Sequence, residues 1–129
     1  MNSDLISIFG QNMLYSVPKR HSVYPYYNHI TVNSTTELIQ VAVAGFSNDE
    51  LSVSVDNQTL IISGKQSGDK EIQTYVHKGI SAKDFEKRFT MSPYSVVDRV
   101  SLKFGILNIW VKEVIPEDKK PKEFKIDSE

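Results

Sequence analysis

The sequence of 129 residues contains no cysteine, which excludes disulfide bonds, thiolate nucleophiles and zinc sites built on cysteine. It also lacks an excess of either charge, because 15 basic residues oppose 16 acidic ones. A protein that neutralises nucleic-acid phosphates or anionic lipids needs a concentrated basic face, so we expect neither nucleic acid nor a membrane as a partner. The N-terminal residues carry Asp4 and no basic stretch before an apolar run. We therefore predict no signal peptide, no membrane span and a cytoplasmic location.

The residue patterns that carry catalysis are missing as well. The three histidines, His21, His29 and His77, have no metal-ligand spacing, and there is no Gly-x-Ser-x-Gly nucleophile motif. The glycine and lysine run at residues 64–70 has the wrong order for a phosphate-binding loop. We expect no enzyme activity, no cofactor and no metal site.

The charges that are present divide the chain into three parts. Residues 1–27 contain three charged side chains, whereas residues 117–129 contain nine in thirteen positions. We predict an apolar N-terminal arm (1–27), a globular domain (28–116) and an extended, solvated tail (117–129).

In both end segments the spacing of the apolar residues predicts the local backbone conformation. In the arm, Leu5, Phe9 and Met13 recur at helical spacing and predict a short amphipathic helix. In the tail, Phe124 and Ile126 lie two residues apart, which places both side chains on one face of an extended chain.

The central part alternates apolar and polar residues with period two, the pattern of a half-buried strand. One helical turn is possible at residues 48–50, and no segment predicts a longer helix. Short strands without helices between them predict an all-β fold, an antiparallel β-sandwich. The candidate strands are residues 30–32, 38–44, 51–55, 59–63, 72–77, 85–91, 96–103 and 106–112.

Residues 64–84 do not fit a simple sandwich. These twenty-one residues are too many for a hairpin loop, yet residues 72–77 at their centre are strand-like. A strand on such an excursion needs a sheet edge to pair with, and a neighbouring chain offers one if its own domain does not. We therefore predict a dimer formed by strand exchange. The exchanged residues would include Ile72, Tyr75, Val76 and His77.

Five short motifs follow one another along the domain: AVAGF at 42–46, DELSV at 49–53, LIISG at 60–64, FEKRF at 85–89 and GILNI at 105–109. Three more accompany them: YPYYN at 24–28, YVHKGI at 75–80 and VIPE at 114–117. In order and spacing this set resembles the alpha-crystallin domain of small heat-shock proteins, in particular the bacterial inclusion-body-binding type. The resemblance covers about residues 24–126.

The resemblance implies an immunoglobulin-like antiparallel β-sandwich, a strand-exchanged dimer and a C-terminal Ile-x-Ile motif that docks in a neighbour's groove. Phe124 and Ile126 occupy the positions of that anchor, with phenylalanine in place of the first isoleucine. The family's Phe-x-Arg-x-Phe strand corresponds to residues 85–89. There Lys87 takes the basic position expected at the dimer interface, and Arg88 is shifted by one to the other face.

The function that the resemblance implies is that of an ATP-independent holdase chaperone of the stress response. It would bind unfolding client proteins, prevent their aggregation, assemble into homo-oligomers and leave refolding to ATP-driven chaperones. Binding unrelated clients requires adaptable apolar contacts rather than a shaped pocket. The arm supplies such residues, and the same residues could also pack inside the oligomer. The candidate client-binding residues are Leu5, Ile6, Ile8, Phe9, Met13, Leu14 and Tyr15.

Two other classes of β-sandwich remain possible from the sequence. A co-chaperone of the CS-domain kind is usually monomeric and should lack both the strand-bearing excursion and the apolar tail residues. A structural or adhesion sandwich would be a discrete monomer that binds one partner through its end loops and does not suppress aggregation.

Overall fold

The structure, a computed structural model, describes residues 13–16, 23–68 and 73–128. Within these residues the strands are β1 (Leu14–Ser16), β2 (Tyr27–Asn33), β3 (Thr36–Ala42), β4 (Leu51–Asp56), β5 (Thr59–Gly64), β6 (Phe85–Met91), β7 (Ser95–Lys103) and β8 (Ile106–Glu113). They form two four-stranded antiparallel sheets, sheet A in the order β1-β6-β5-β4 and sheet B in the order β2-β3-β8-β7. This architecture confirms the predicted all-β sandwich. A 3₁₀ turn at Asn48–Glu50 occupies the position where one helical turn was possible.

The core lies between the sheets and follows from the alternation in the sequence. Every second residue of β3, β5 and β8 is buried, and the residues between them face outward. Removing a large aliphatic side chain from water contributes about 1.5–3 kcal/mol, so these inward rows supply most of the stabilisation of the sandwich. The fully buried strand residues include Ile39, Val41, Leu60, Ile62, Phe89, Ile109 and Val111.

The turn between β7 and β8 has two residues, Phe104 and Gly105. Both have positive φ, 55° and 73°, which is the backbone of a type I′ hairpin. Glycine adopts this conformation without strain, whereas a residue with a large side chain does not. Phe104 is therefore strained, and its ring is 90% exposed.

The described part of the arm forms a strand rather than the end of a helix. Leu14–Ser16 pairs with β6, with Leu14 opposite Met91, and the Ser92 N–H donates to the Met13 carbonyl at 2.9 Å. Met13 and Leu14 are 1% and 2% exposed and belong to the core. The predicted helix is therefore wrong at Met13, because pairing with the free edge of β6 and burial between the sheets outweigh the helical spacing. Leu5 and Phe9 lie outside the described residues.

The strand expected at residues 72–77 is not present in the single chain. Residues 73–77 form no strand, and Ile72 lies outside the described residues. Within the described chain, β6 pairs with β5 and β1, so sheet A has no free place beside β6 for this segment. Pairing of residues 72–77 with another chain stays a prediction.

Candidate interaction surfaces

One side of the sandwich, which we call the open side, has an apolar groove between the edge strands β4 and β7. It has a volume of about 320 Å³. No described strand pairs with the outer edge of either strand, so inward-pointing side chains near these edges stay accessible. Val100, for example, lies opposite the buried Ile109 yet is 42% exposed. The groove is lined by Asn48, Leu51, Val53, Val100, Ser101, Leu102 and Leu107.

The tail carries the two apolar residues predicted to act as an anchor. Phe124 is 80% exposed and Ile126 is 92% exposed, so neither is buried in the groove of its own chain. The tail leaves the sandwich after β8, where the Val114 N–H donates to the Tyr94 carbonyl at 2.7 Å. Beyond the 3₁₀ turn at Glu117–Lys119, no described tail residue belongs to a helix or strand. The tail is thus free of regular structure around its two apolar residues.

The excursion between β5 and β6 is held at its base and exposed at its tip. The Gln66 N–H donates to an oxygen of Asp84 at 2.7 Å, and the Lys83 N–H donates to the Tyr24 hydroxyl at 3.0 Å. In contrast, Tyr75, Val76 and Ile80 at the tip are 53%, 106% and 83% exposed. Among the predicted exchange residues, Tyr75, Val76 and His77 are thus accessible to another chain.

Sheet B offers an edge at β2. In the described chain β2 pairs with β3 alone, so its outer backbone groups form an unpaired row of the kind that accepts another strand. Its outward residues Ile30 and Val32 are 36% and 50% exposed. An added strand would therefore cover apolar side chains as well as backbone groups.

The two basic residues of β6 point to opposite faces, as predicted from their spacing. Lys87 shares a face with Phe85 and Phe89, and its Nζ lies 4.9 Å from the centroid of the Tyr27 ring. Arg88 points outward, and its Nε is 2.8 Å from an oxygen of Glu86 on the same strand. Lys87 thus makes a cation–π contact, while Arg88 makes an exposed ion pair.

The opposite side of the sandwich, the closed side, is covered by β1. An acidic side chain that the sequence pattern did not single out lies beneath it: Glu37 is 3% exposed although its side chain is polar. Its Oε2 accepts the backbone N–H of Met13 at 3.0 Å, and its Oε1 is 2.5 Å from Nε2 of His29. The sequence could have revealed this buried acidic residue, because strand alternation places Glu37 on the same face as Ile39 and Val41.

The candidate client-binding residues divide between described and undescribed parts of the chain. Met13 and Leu14 are buried against the core, and the backbone of Tyr15 belongs to β1. Leu5, Ile6, Ile8 and Phe9 lie outside the described residues, as does the side chain of Tyr15. In this conformation, therefore, Met13 and Leu14 are not accessible to a client.

In the described segments, no three histidine, aspartate or glutamate side chains are grouped so that they could hold a metal ion. The same segments contain no helix that is long and apolar enough to cross a membrane.

Comparison with known proteins gives consistent results. The model of the Hsp20/alpha crystallin family matches residues 29–127. Small heat shock protein IbpA of Escherichia coli (strain K12 / DH10B) is 34% identical over 104 residues, which are 81% of this chain and 76% of that protein. The corresponding protein of Pectobacterium atrosepticum is 32% identical over 103 residues, 80% of this chain and 75% of its own length.

Solved structures agree with the fold. A small heat shock protein from Synechococcus phage S-ShM2 is 30% identical with a TM-score of 0.64, covering 80% of this chain and 99% of that one. A C-terminally truncated form of AgsA from Salmonella typhimurium is 26% identical with a TM-score of 0.64, covering 78% and 96%. The sandwich, the family match and these identities together show that the chain belongs to the Hsp20/alpha crystallin family, the small heat shock chaperones, which are not enzymes.

Proposed function

We propose that this protein is an ATP-independent holdase that binds unfolding proteins in the cytoplasm, keeps them from aggregating and leaves refolding to ATP-driven chaperones. The family supports a chaperone role. The more specific proposal is supported by the fact that the apolar groove and the apolar tail residues of one chain do not contact each other. The open side has an apolar groove that no described residue fills, and the two apolar residues of the tail are exposed rather than bound in it.

The tail anchor would join chains by inserting Phe124 and Ile126 into the groove of a neighbour. Burial of each side chain would gain about 1.5–3 kcal/mol before ordering and association costs are subtracted. A millimolar affinity already needs about 4 kcal/mol, so a single tail binds weakly. Several tails in one assembly act together through their effective concentration. This gives an oligomer that holds together and still exchanges subunits.

The dimer within this assembly would form by strand exchange. The exposed tip of the excursion, around Tyr75 and Val76, would add to the unpaired edge of β2 in a partner chain. The exposed Ile30 and Val32 favour this edge, because strand addition would cover them. The cation–π contact of Lys87 lies beside this edge, since its partner Tyr27 is the first residue of β2.

Client binding would use the arm, whose apolar residues suit unrelated and irregular partners. Because Met13 and Leu14 are buried, clients would reach them only after β1 leaves β6. The charged tail would keep an assembly with apolar surfaces in solution.

The experiment that tests the function is light scattering with a heat-labile client and no nucleotide. We expect a stoichiometric excess of this protein to suppress the rise in scattering, and unchanged aggregation would contradict the proposal. Replacement of both Phe124 and Ile126 by glycine should lower the assembly mass measured by native mass spectrometry. The matched control replaces Pro116 and Pro121 by glycine, which alters the same tail without removing the anchor. An equal mass for anchor variant and wild type would exclude the tail as the link.

A further inference from the structure

The contacts of β1 describe how a short extended segment is held at the free edge of β6. The segment supplies two buried side chains, Met13 and Leu14, and pairs its backbone with residues 89–91 of β6. Its first amide, the N–H of Met13, is held by Glu37, which belongs to the other sheet. The segment is thus held on one side by backbone pairing in sheet A and on the other by a carboxylate of sheet B.

The segment that occupies this position is short and lies at the edge of sheet A. β1 has three residues, and among the described strands it pairs with β6 alone. Short strands at the edge of a sheet are among the first parts of a fold to open. When β1 leaves, the backbone edge of β6 becomes unpaired and Met91, which is 3% exposed with β1 in place, loses its cover. What is uncovered is an apolar strip beside a free strand edge.

Glu37 gives this strip a property that apolar surface alone does not have. A carboxylate that accepts a backbone N–H recognises any extended chain, because every residue except proline carries this donor. Oε1 of Glu37 contacts Nε2 of His29, and this contact fixes the direction of Oε2, the oxygen that accepts the Met13 N–H. With β1 in place Glu37 is 3% exposed, so any strand that covers the site must supply a backbone donor to Oε2, as Met13 does.

We propose that the edge of β6 together with Glu37 is a binding site for an extended segment of an unfolded client, and that residues 13–16 are its built-in placeholder. The client segment would carry two consecutive apolar residues in the places of Met13 and Leu14. It would add as a strand to β6, and its backbone N–H would bind Glu37. This inference rests on the proposed holdase function and assigns one of its client sites.

The direct test measures binding of a fluorescein-labelled peptide with the sequence of residues 11–18, QNMLYSVP, to the full chain by anisotropy. In the wild type the peptide competes with β1. In Leu14→Asp the placeholder is weakened while the site is kept, so we expect a dissociation constant lower by about tenfold. The double variant Leu14→Asp with Glu37→Leu should lose most of this gain. A peptide with aspartate at both apolar positions is the control and should not bind.

Equal affinity of the peptide for wild type and Leu14→Asp would overturn the proposal. An increase in affinity that is also seen in the double variant without Glu37 would overturn it as well.

Circular dichroism shows whether Leu14→Asp folds. If it does not, hydrogen exchange of Glu37→Leu in the full chain decides instead. We expect exchange of the amides of residues 13–16 to be about tenfold to a hundredfold faster. Glu37→Gln, whose amide oxygen can still accept the Met13 N–H, should keep this exchange slow. The core variant Val111→Ala should leave the exchange rates of these amides unchanged. If Glu37→Leu and Val111→Ala accelerated the exchange equally, the role of residues 13–16 as a placeholder held by Glu37 would be contradicted.

Light scattering separates this inference from the proposed function. If Leu14→Asp binds the peptide more tightly and also suppresses client aggregation at lower temperature than wild type, the client site is supported. If it binds the peptide but suppresses aggregation no better than an active wild type, the site serves only the chain's own arm and the client assignment is wrong. If the wild type itself fails to suppress aggregation, the proposed function fails, while the peptide result still decides the placeholder.

Discussion

The two sides of the sandwich differ in how their strand edges and apolar side chains are covered. On the closed side, β1 covers the edge of β6, and Met13 and Leu14 complete the core. On the open side, no described strand covers β4 or β7, and an apolar groove lies between them. A sandwich of this size could in principle close both sides with its own chain. The difference indicates that the chain covers the edge of β6 with its own arm, whereas the groove between β4 and β7 suits a segment of a neighbouring chain.

The largest effect is expected from a charge placed in the open groove. Val100→Asp introduces a carboxylate beside Leu102 and Val53, where burial by an apolar tail would leave it unpaired. Native mass spectrometry should show loss of the large assembly and survival of the dimer, because the proposed strand exchange would use β2 on the other side. The matched control is Val96→Asp on the same strand, where the valine is 47% exposed and outside the groove. Similar loss of assembly in both variants would mean that the groove is not the docking site.

Truncations on the two sides should differ in their cost to stability. Met91 is 3% exposed and lies opposite Leu14, so Met91→Ala should lower the free energy of unfolding by about 2–5 kcal/mol. Val100 is 42% exposed, and Val100→Ala should cost less than about 1 kcal/mol, since little of the removed surface is buried. Urea denaturation of both variants measures the difference. Comparable losses would contradict the description of one side as closed and the other as open.

The region between the two sides should tolerate no added volume at Gly64. A Cβ atom there would lie 2.4 Å from Cε1 of Phe85 and 2.9 Å from Cε1 of Phe46. These two rings already pack edge to face, with centroids 5.5 Å apart. Gly64→Ala should therefore lower the unfolding free energy by about 1–3 kcal/mol through overpacking. Gly68→Ala is the control, because nothing lies within 4 Å of its added Cβ. An equal loss of stability in both variants would count against overpacking at Gly64.

The smallest effect is a gain in the free energy of unfolding from a change in the turn between β7 and β8. Phe104 has φ 55° in the turn that joins β7 to β8, and its ring is exposed. Asparagine adopts this conformation more readily, so Phe104→Asn should raise the unfolding free energy by about 1 kcal/mol and leave the assembly mass unchanged. Thermal denaturation followed by circular dichroism measures the gain. A loss of stability would show that the ring makes a contact which outweighs the backbone strain.

The sequence was sufficient where a local pattern determines the structure. Alternation of apolar and polar residues predicted β6 with the bounds that the structure has, and the strand's spacing placed Lys87 and Arg88 on opposite faces. It failed at Met13, where helical spacing over a few residues was outweighed by pairing with a strand about eighty positions away in the chain. Local periodicity carries no information about such a partner.

The interaction surfaces show the same limit. The apolar residues of the tail were predicted from their spacing, but the groove that could receive them was not. Leu51 and Val100 come from strands in different sheets, and only the strand order places those two edges side by side. Glu37 could have been noticed, since it interrupts an inward row of apolar residues. Its partner Met13 could not, because their contact depends on how β1 closes the sandwich.

We propose that the tail of one chain fills the open groove of another, and because the chain has no cysteine, an introduced pair of cysteines can detect this docking. Isotopically labelled Ile126→Cys chains are mixed with unlabelled Val100→Cys chains, oxidised and analysed by mass spectrometry. If the tail docks in the groove, we expect a strong disulfide-linked product containing one chain of each kind. We expect little of that product when Val96→Cys replaces Val100→Cys. Equal yields from the two mixtures, or no mixed product from the first, would contradict the claim.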